Sequence, residues 1–540
     1  PPRAMPTFHN PAQALDWKRF NDHQMHELYL AERHALRTHS DLPVTTNFMG
    51  TFPHANYAAW ADDLDIVSND SYPDPADPVA AWEVAWQADL MRGLAGGGSW
   101  MLMEQTPSAV QWRRRNSPKR PGQFLLWSLG AIARGADAIL QFQWRQSAQG
   151  AETFHAGMVP HSGSASRTWR EVVDTGRVLK KLGPVLGGNV ESTVGIIIDW
   201  ESEWARHSAI GPVAPQGFFG GARAWHRSLW EAGITTDVIG TDADLSAYSL
   251  IIVSELFIDR PQLTARLQEA VRRGAQVLVT GPSGVVNNRM RAVLGGYLGS
   301  MRDLLGVCVL DHAALTGQVH WEDERSQSVN WISRAVNAPA ASSWIGVEAV
   351  STSLKRALDR LGSPAPDLCG AMWAEVIAPW DTAASPSGPD SHLGEHFASW
   401  EGATDVEVVA AFNGGGGGVD LAGRAAVTRR PYDSNEGVSG AAWYAATDLD
   451  AVSRAALLDV LRAHGRVHPA FPDLPDGVES IERGGILFVL NHSDRAVELP
   501  GIVGKDLLSG AECTGHIVIA PRSAVAVDAK KLKRQEKSVP

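Results

Sequence analysis

The sequence contains little cysteine. Three thiols, Cys308, Cys369 and Cys513, are scattered over 540 residues, and none belongs to a CxxC pair. That spacing excludes a disulfide framework and a thiolate zinc site. It suits a reducing cytoplasm and predicts three small, buried, apolar side chains. A basic balance is missing too. The net charge is −12 and the pI about 5.8, which excludes the electropositive footprint that nucleic acid requires. No run reaches the roughly 18 apolar residues of a membrane helix. The opening residues 1–11, PPRAMPTFHNP, lack a charged segment leading into an apolar one, so neither signal peptide nor membrane contact is expected. His9, His34, His39 and His54 form no HxH or HExxH pattern, and no metal or cofactor is expected. Coiled-coil and solenoid repeats are absent as well.

What is present points to a large globular protein. Gly 52, Pro 31 and 44% hydrophobic residues are ordinary values, and the length calls for several domains. The first third repeats one unit. Helices are predicted over 16–39, 57–64, 78–94, 123–134 and 167–182. Strands are predicted over 43–48, 65–69, 99–104 and 138–144. Four strands, each followed by a helix, make half of an eight-stranded barrel. From about residue 188 the pattern becomes an open parallel sheet. Its strands are 192–199, 235–240, 250–256 and 276–281, with helices over 222–232 and 260–273. Stretches 379–391 and 414–418 read as surface loops, and helix 450–464 closes the region. After a Pro-rich linker at 469–477, short alternating strands form a small β domain. The expected organisation is α/β. Residues 1–187 form a partial TIM (β/α)8 barrel and 188–470 a doubly wound, flavodoxin- or amidotransferase-like domain. Residues 471–528 form an all-β domain, and 529–540 a charged, disordered tail.

Segment 100–161 carries the chemistry. The apolar strand Met101–Met103 ends in Glu104. A second apolar run ends near Phe142 and Trp144, and Glu152 and His155 follow three residues apart. Parallel α/β barrels place their chemistry at such strand ends. A carboxylate among aromatic rings suits sugars, whose C–H faces stack on rings and whose hydroxyls bond to carboxylates. Twenty tryptophans in the chain fit that reading. Asp62, Asp63, Asp65 and Asp70 alternate across a helix end and a strand, which reads as a solvated acidic face rather than a metal site.

Several long motifs carry a resemblance. They are DWKRF (16–20), LPVTTNFMG (42–50), DIVSNDSYP (65–73), LMEQTPSAVQW (102–112), KRPGQ (119–123), the stretch 127–161, and IIIDWESEWA (196–205). Together they resemble the glycoside hydrolase family 42 β-galactosidases, more loosely as far as residue 527. The resemblance implies a retaining, double-displacement hydrolysis of terminal β-D-galactosyl residues with Glu104 as nucleophile. It implies that Tyr72 hydrogen-bonds the nucleophile and that Trp112 and Phe142 wall the sugar. Glu152 and His155 would grip its hydroxyls. It implies a homotrimer assembled through residues 188–470, and a galactoside as the only other partner.

The family's acid/base follows an Asn at the end of the fourth barrel strand, and no matching Asn-Glu pair occurs here. The pair Asn435-Glu436 lies far outside the barrel pattern. The expectation is therefore a chain that lacks the N-terminal half of the barrel and does not turn over alone. Two other readings stay open: a carbohydrate-binding protein without catalysis, and a glutamine-amidotransferase-like scaffold. The latter would need a Cys on the turn after a strand, where 250–256 instead supplies Ser254 and Glu255.

Overall fold

The computed structural model describes residues 8–209, 211, 213, 215, 217–315, 344–361, 367–380, 405–414, 420–433 and 439–528. The expected tail at 529–540, most of the loop at 379–391 and much of that at 414–418 lie outside these residues. Four βα units come first. Helix α1 (Pro11–Arg37) starts at Asn10, whose side chain accepts the Ala12 N–H at 2.9 Å, a standard N-cap. Then follow β1 (Asn47–Phe48), α2 (Tyr57–Trp60), β2 (Ser68–Asp70), α3 (Ala80–Leu94), β3 (Trp100–Glu104), α4 (Gln123–Ala133), β4 (Ala136–Ile139) and α5 (Arg167–Leu179). The strands are parallel and lie in the order β1-β2-β3-β4.

All four units read from the sequence are present, but the strands are shorter than expected, β1 and β4 most of all. In place of 43–48 only Asn47–Phe48 is extended. The backbone before it is held by side chains instead: Val44 N–H donates to Asp65 Oδ2 at 2.6 Å, and Thr45 Oγ1 to the Ile66 carbonyl at 2.6 Å. Strand β4 stops at Ile139 rather than 144. Beyond it the chain turns to the neighbouring loop, where Phe142 N–H donates to the Gln105 carbonyl at 3.0 Å.

The middle domain continues with β5 (Val194–Ile197), α6 (Trp200–Ser208), α7 (Gly220–Glu231), β6 (Asp237–Ile239), β7 (Leu250–Ser254), α8 (Pro261–Arg272) and β8 (Gln276–Thr280). These strands are parallel in the order β6-β5-β7-β8, as a doubly wound sheet requires. The expectation of a purely parallel sheet needs correction. Strand Gly440–Ala445 adds in parallel to β8, and the sheet then continues antiparallel through Ala425–Tyr432, Glu407–Phe412, Trp344–Ala349 and Asp367–Pro379. Thr447–Leu449 and Val307–Leu315 pair with the last of these, giving eleven strands. Their residues, such as the wholly buried Gly440–Ala445, show no inside–outside alternation for a sequence reading to detect.

The C-terminal domain is a five-stranded antiparallel sheet, Val478–Arg483, Ile486–Asn491, Ser523–Asp528, Val497–Asp506 and Glu512–Ile519 in spatial order. Ile481, Phe488, Leu490 and Ala526 pack on Leu126, Leu129 and Ile132 of α4. Cys308 and Cys513 are buried as expected, Cys369 only partly. No helix among the described residues is long and apolar enough to cross a membrane.

A buried ionic network joins the three parts. Asp89 on α3 accepts from Arg92 at 2.7 Å, from Arg134 at 2.7 and 2.9 Å, and from His226 on α7 at 2.9 Å. Arg92 Nε also reaches Asp237 on β6 at 2.7 Å, and Arg134 reaches Glu479 of the C-terminal sheet. Every one of these side chains is at most 7% exposed. Trp82 Nε1–H donates to His226 Nδ1 at 3.0 Å, so the neutral ring carries its proton on Nε2 and donates it to Asp89. Burial opposes ionisation of Asp89, but Arg134, Arg92 and His226 outweigh it and hold the carboxyl well below its ordinary range. Glu479, also opposed by burial, is pulled to about 2 by Arg134 and His492. The approach of α3 to β6 is close: a Cβ at Gly93 would lie 2.0 Å from the Val238 carbonyl oxygen.

Asp89→Ala should therefore cost about 3–5 kcal/mol in urea unfolding, because two buried guanidinium groups lose their shared partner. A loss below about 1 kcal/mol would show that the network contributes nothing net. Glu479 has a depressed folded pKa, so its stabilisation is full above its ordinary 4.5 and drains as pH falls toward about 2.

Candidate active site

The C-terminal ends of β2, β3 and β4 bring together the residues picked out from the sequence. Glu104 is the last residue of β3 and stands beside Asp70, its register partner on β2. Tyr72 follows two residues later, and its hydroxyl donates to Glu104 Oε2 at 2.6 Å. Burial first, and then the bond to Glu104, keep that phenol protonated. Ser71 N–H ties the same turn to the Glu104 carbonyl at 2.8 Å.

Four rings surround this pair. Tyr72 meets Trp112 edge-on at 5.1 Å and His155 at 6.0 Å; Trp112 lies 5.3 Å and Phe142 5.0 Å from His155. Trp112 is 52% exposed and offers a free face, whereas His155 is buried. The loop bearing His155 returns onto the strand ends through Ala156 N–H to the Ala109 carbonyl at 2.9 Å and Met158 N–H to the Gln143 carbonyl at 2.7 Å. The turn leaves no room at Gly157, where a Cβ would meet Gln146 N at 2.4 Å.

His155 Nδ1 faces Gln111 Oε1, which only accepts, so Nδ1 carries the proton and Nε2 of the neutral ring is an acceptor. Nε2 has no hydrogen-bond partner among the described residues. Burial depresses the basicity of His155, against the opposing charges of Glu152 and Glu104. Glu152, half-buried, is thereby placed near His155 and Tyr72. Arg113 donates to the Tyr72 carbonyl and lies 4.0 Å from Asp74.

Three residues of the site escaped the sequence reading. Asp70 is not a solvated acid: it is half-buried, and burial first and then Glu104's charge raise it to about 7, against two bonds from Asn47. Asn47 donates from Nδ2 to both Asp70 oxygens at 3.1 Å and reaches Glu104 Oε1 at 3.5 Å. Their signal was in the sequence, since Asp70 ends the strand next to the Glu104 strand and Asn47 begins the strand beyond it. Lys119, in the KRPGQ motif, is buried beneath the loop that follows Glu104. It donates to the Thr106 carbonyl and to Gln105 Oε1 at 3.3 Å, and lies 4.9 Å over Trp127. It forms no ion pair among the described residues, and desolvation lowers it to about 7.

Known proteins resemble this chain over most of its length. Residues 1–182 match the β-galactosidase family glycoside hydrolase 42, and residues 192–355 match the β-galactosidase trimerisation domain. A β-galactosidase of Arthrobacter sp. is 35% identical over 538 residues, which are 98% of this chain and 66% of that protein. β-Galactosidase BgaA of Planococcus sp. (strain 'SOS Orange') is 32% identical over 95% of this chain and 67% of its own length. The crystal structure of the Bacillus circulans sp. alkalophilus β-galactosidase superposes with a TM-score of 0.80 at 27% identity, covering 97% of this chain and 69% of that one. The fold is thus that of a glycoside hydrolase family. The chain belongs to glycoside hydrolase family 42, the β-galactosidases. It spans about two-thirds of the length of the Arthrobacter relative, 66%.

Lys119 has a folded pKa below its ordinary 10.5, so the unfolded chain binds more protons between about pH 7 and 10.5. Stability should rise across that window, and only there, on account of this group. Calorimetry of Lys119→Met beside the wild type should show the Tm difference moving in favour of the wild type between about pH 7 and 9. A pH-independent difference would mean that Lys119 keeps its ordinary basicity.

Proposed function

We propose that the chain carries the nucleophile side of a retaining β-galactosidase, with Glu104 as the nucleophile. The observation that carries this is the Tyr72 hydroxyl on Glu104 Oε2, inside a ring of Trp112, Phe142 and His155. The donor occupies one carboxylate oxygen. A carboxylate oxygen of Glu104 attacks the anomeric carbon, the glycosidic bond breaks, and a galactosyl ester forms; water then hydrolyses it. The free face of Trp112 stacks on the sugar, and Phe142 closes the wall. His155 Nε2 accepts from one sugar hydroxyl and Glu152 from others. Membership of the β-galactosidase family supports this reading.

Retaining chemistry needs a second carboxyl about 5–5.5 Å from the nucleophile to protonate the leaving oxygen. In this reading the four βα units are one side of an eight-unit barrel. The middle domain assembles a homotrimer, as its match to a trimerisation domain suggests. An amidotransferase role has no support at the turn after β7. That position holds Glu255 with a left-handed backbone (φ 56°), paired with Arg206 at 3.1 Å, and offers no thiol.

Incubation with 2,4-dinitrophenyl 2-deoxy-2-fluoro-β-galactoside should label Glu104 and no other carboxylate, read by peptide mass spectrometry. Glu104→Gln should abolish labelling while leaving the Tm nearly unchanged. Label on another residue would overturn the assignment. His155→Ala should weaken galactose binding by about 1–3 kcal/mol, the cost of an unpaired hydroxyl, in calorimetric titration. Unchanged affinity would make His155 a purely structural residue.

A further inference from the structure

The two oxygens of Glu104 are held by different donors. Tyr72 takes Oε2, and Asn47 Nδ2 is the group on Oε1. A carboxamide nitrogen has two hydrogens. Asp70 faces Asn47 Nδ2 with both oxygens at 3.1 Å and engages one of them. The other is thereby directed to Glu104. Asn47 is itself exposed at the start of β1, so no packing would otherwise orient its amide. Parallel pairing of β2 with β3 sets Asp70 directly beside Glu104.

We propose that Asp70 is a positioning residue for the nucleophile: it orients the Asn47 amide on Glu104 Oε1, and its charge is coupled to the charge of Glu104. The proposal rests on the galactosidase reading above and adds to it a group that touches no substrate. Two neighbouring carboxylates cannot both ionise without cost. When Glu104 becomes a galactosyl ester, its negative charge is consumed. An ionised Asp70 therefore favours the ester over the free carboxylate, and the coupling is reciprocal. The titratable groups facing Asp70 are Glu104 from β3, Tyr57 from α2 and Tyr72 from its own turn. Both phenols are pushed well upward by burial and stay neutral over the range concerned. That leaves the Asp70–Glu104 pair to respond near neutrality, where Asp70 titrates at about 7.

The covalent step can be followed alone with the fluorinated dinitrophenyl galactoside. A Glu104 oxygen bonds to the anomeric carbon, the bond to the phenolic oxygen breaks, and dinitrophenolate leaves with the electron pair and needs no proton. The proton of Asp70 goes to water. With the whole chain, the rate of labelling at Glu104 should rise about tenfold between roughly pH 6 and 8, the equivalent of one pKa unit of coupling. In Asp70→Asn the limb centred near neutrality should vanish, with the reagent concentration for half-maximal rate unchanged. Glu152 and His155 remain in that variant, so a limb of theirs would survive it. Asn47→Ala keeps the Asp70 charge and loses the link: it should label more slowly and retain the pH rise. An Asp70→Asn variant with the wild-type rate and profile would overturn the proposal, as would an Asn47→Ala variant that labels at the wild-type rate. A wild-type chain that is not labelled at Glu104 would instead sink the galactosidase reading itself.

Discussion

The carboxylate of Asp89 is the point on which the rest of the molecule turns. It sits 1% exposed between two arginines and a histidine, and those partners lead outward into all three domains. Arg92 fastens α3 to Asp237 on β6, and Arg134 fastens α4 to Glu479 of the C-terminal sheet. Such a cluster is weak evidence for stability, because desolvation consumes most of its Coulomb energy. Its value is geometric. Charges this deep have one arrangement that satisfies them all, and that arrangement sets how the βα units, the mixed sheet and the β domain meet.

The strand ends that carry Glu104 stand on that frame. Helix α3, pinned by Asp89 and Arg92, precedes β3, and α4, pinned by Arg134, precedes β4. The two loops beyond those strands hold Trp112, Phe142 and His155. Beneath them Lys119 clamps the Thr106 carbonyl, two residues past Glu104, from a site where its own charge is costly. The site thus stores opposed electrostatics. A cation lies buried under the loop, and two acids stand side by side at its mouth. Functional sites commonly show such perturbed groups, whereas in the domain-joining network each charge faces an opposite one.

Much of this was legible in the sequence, and the reasons differ by element. The βα alternation could be read because each helix has an apolar face and each strand a short apolar run. Glu104, Tyr72, Trp112, Phe142, Glu152 and His155 could be named because their motifs are long and lie at strand ends. Asp70 was misread because an acid near other acids looks solvated. Only the register of β2 against β3 places it beside Glu104 rather than beside Asp65, which instead binds Arg33. The antiparallel half of the large sheet was missed because strands such as Gly440–Ala445 are buried throughout and carry no period.

The sequence by itself determined the class and order of the elements up to residue 281, the β-galactosidase family and the acid at the end of the third strand. These depend on local apolar periodicity and on residue types within short windows. Tertiary structure alone decided which donors reach which oxygen of Glu104, that Lys119 is buried without a counter-ion among the described residues, and that Asp89, Glu479 and Asp237 share two arginines. Those are distances between residues far apart along the chain, as with Arg134 and Glu479. They follow from strand register and domain packing, which no local window of sequence contains.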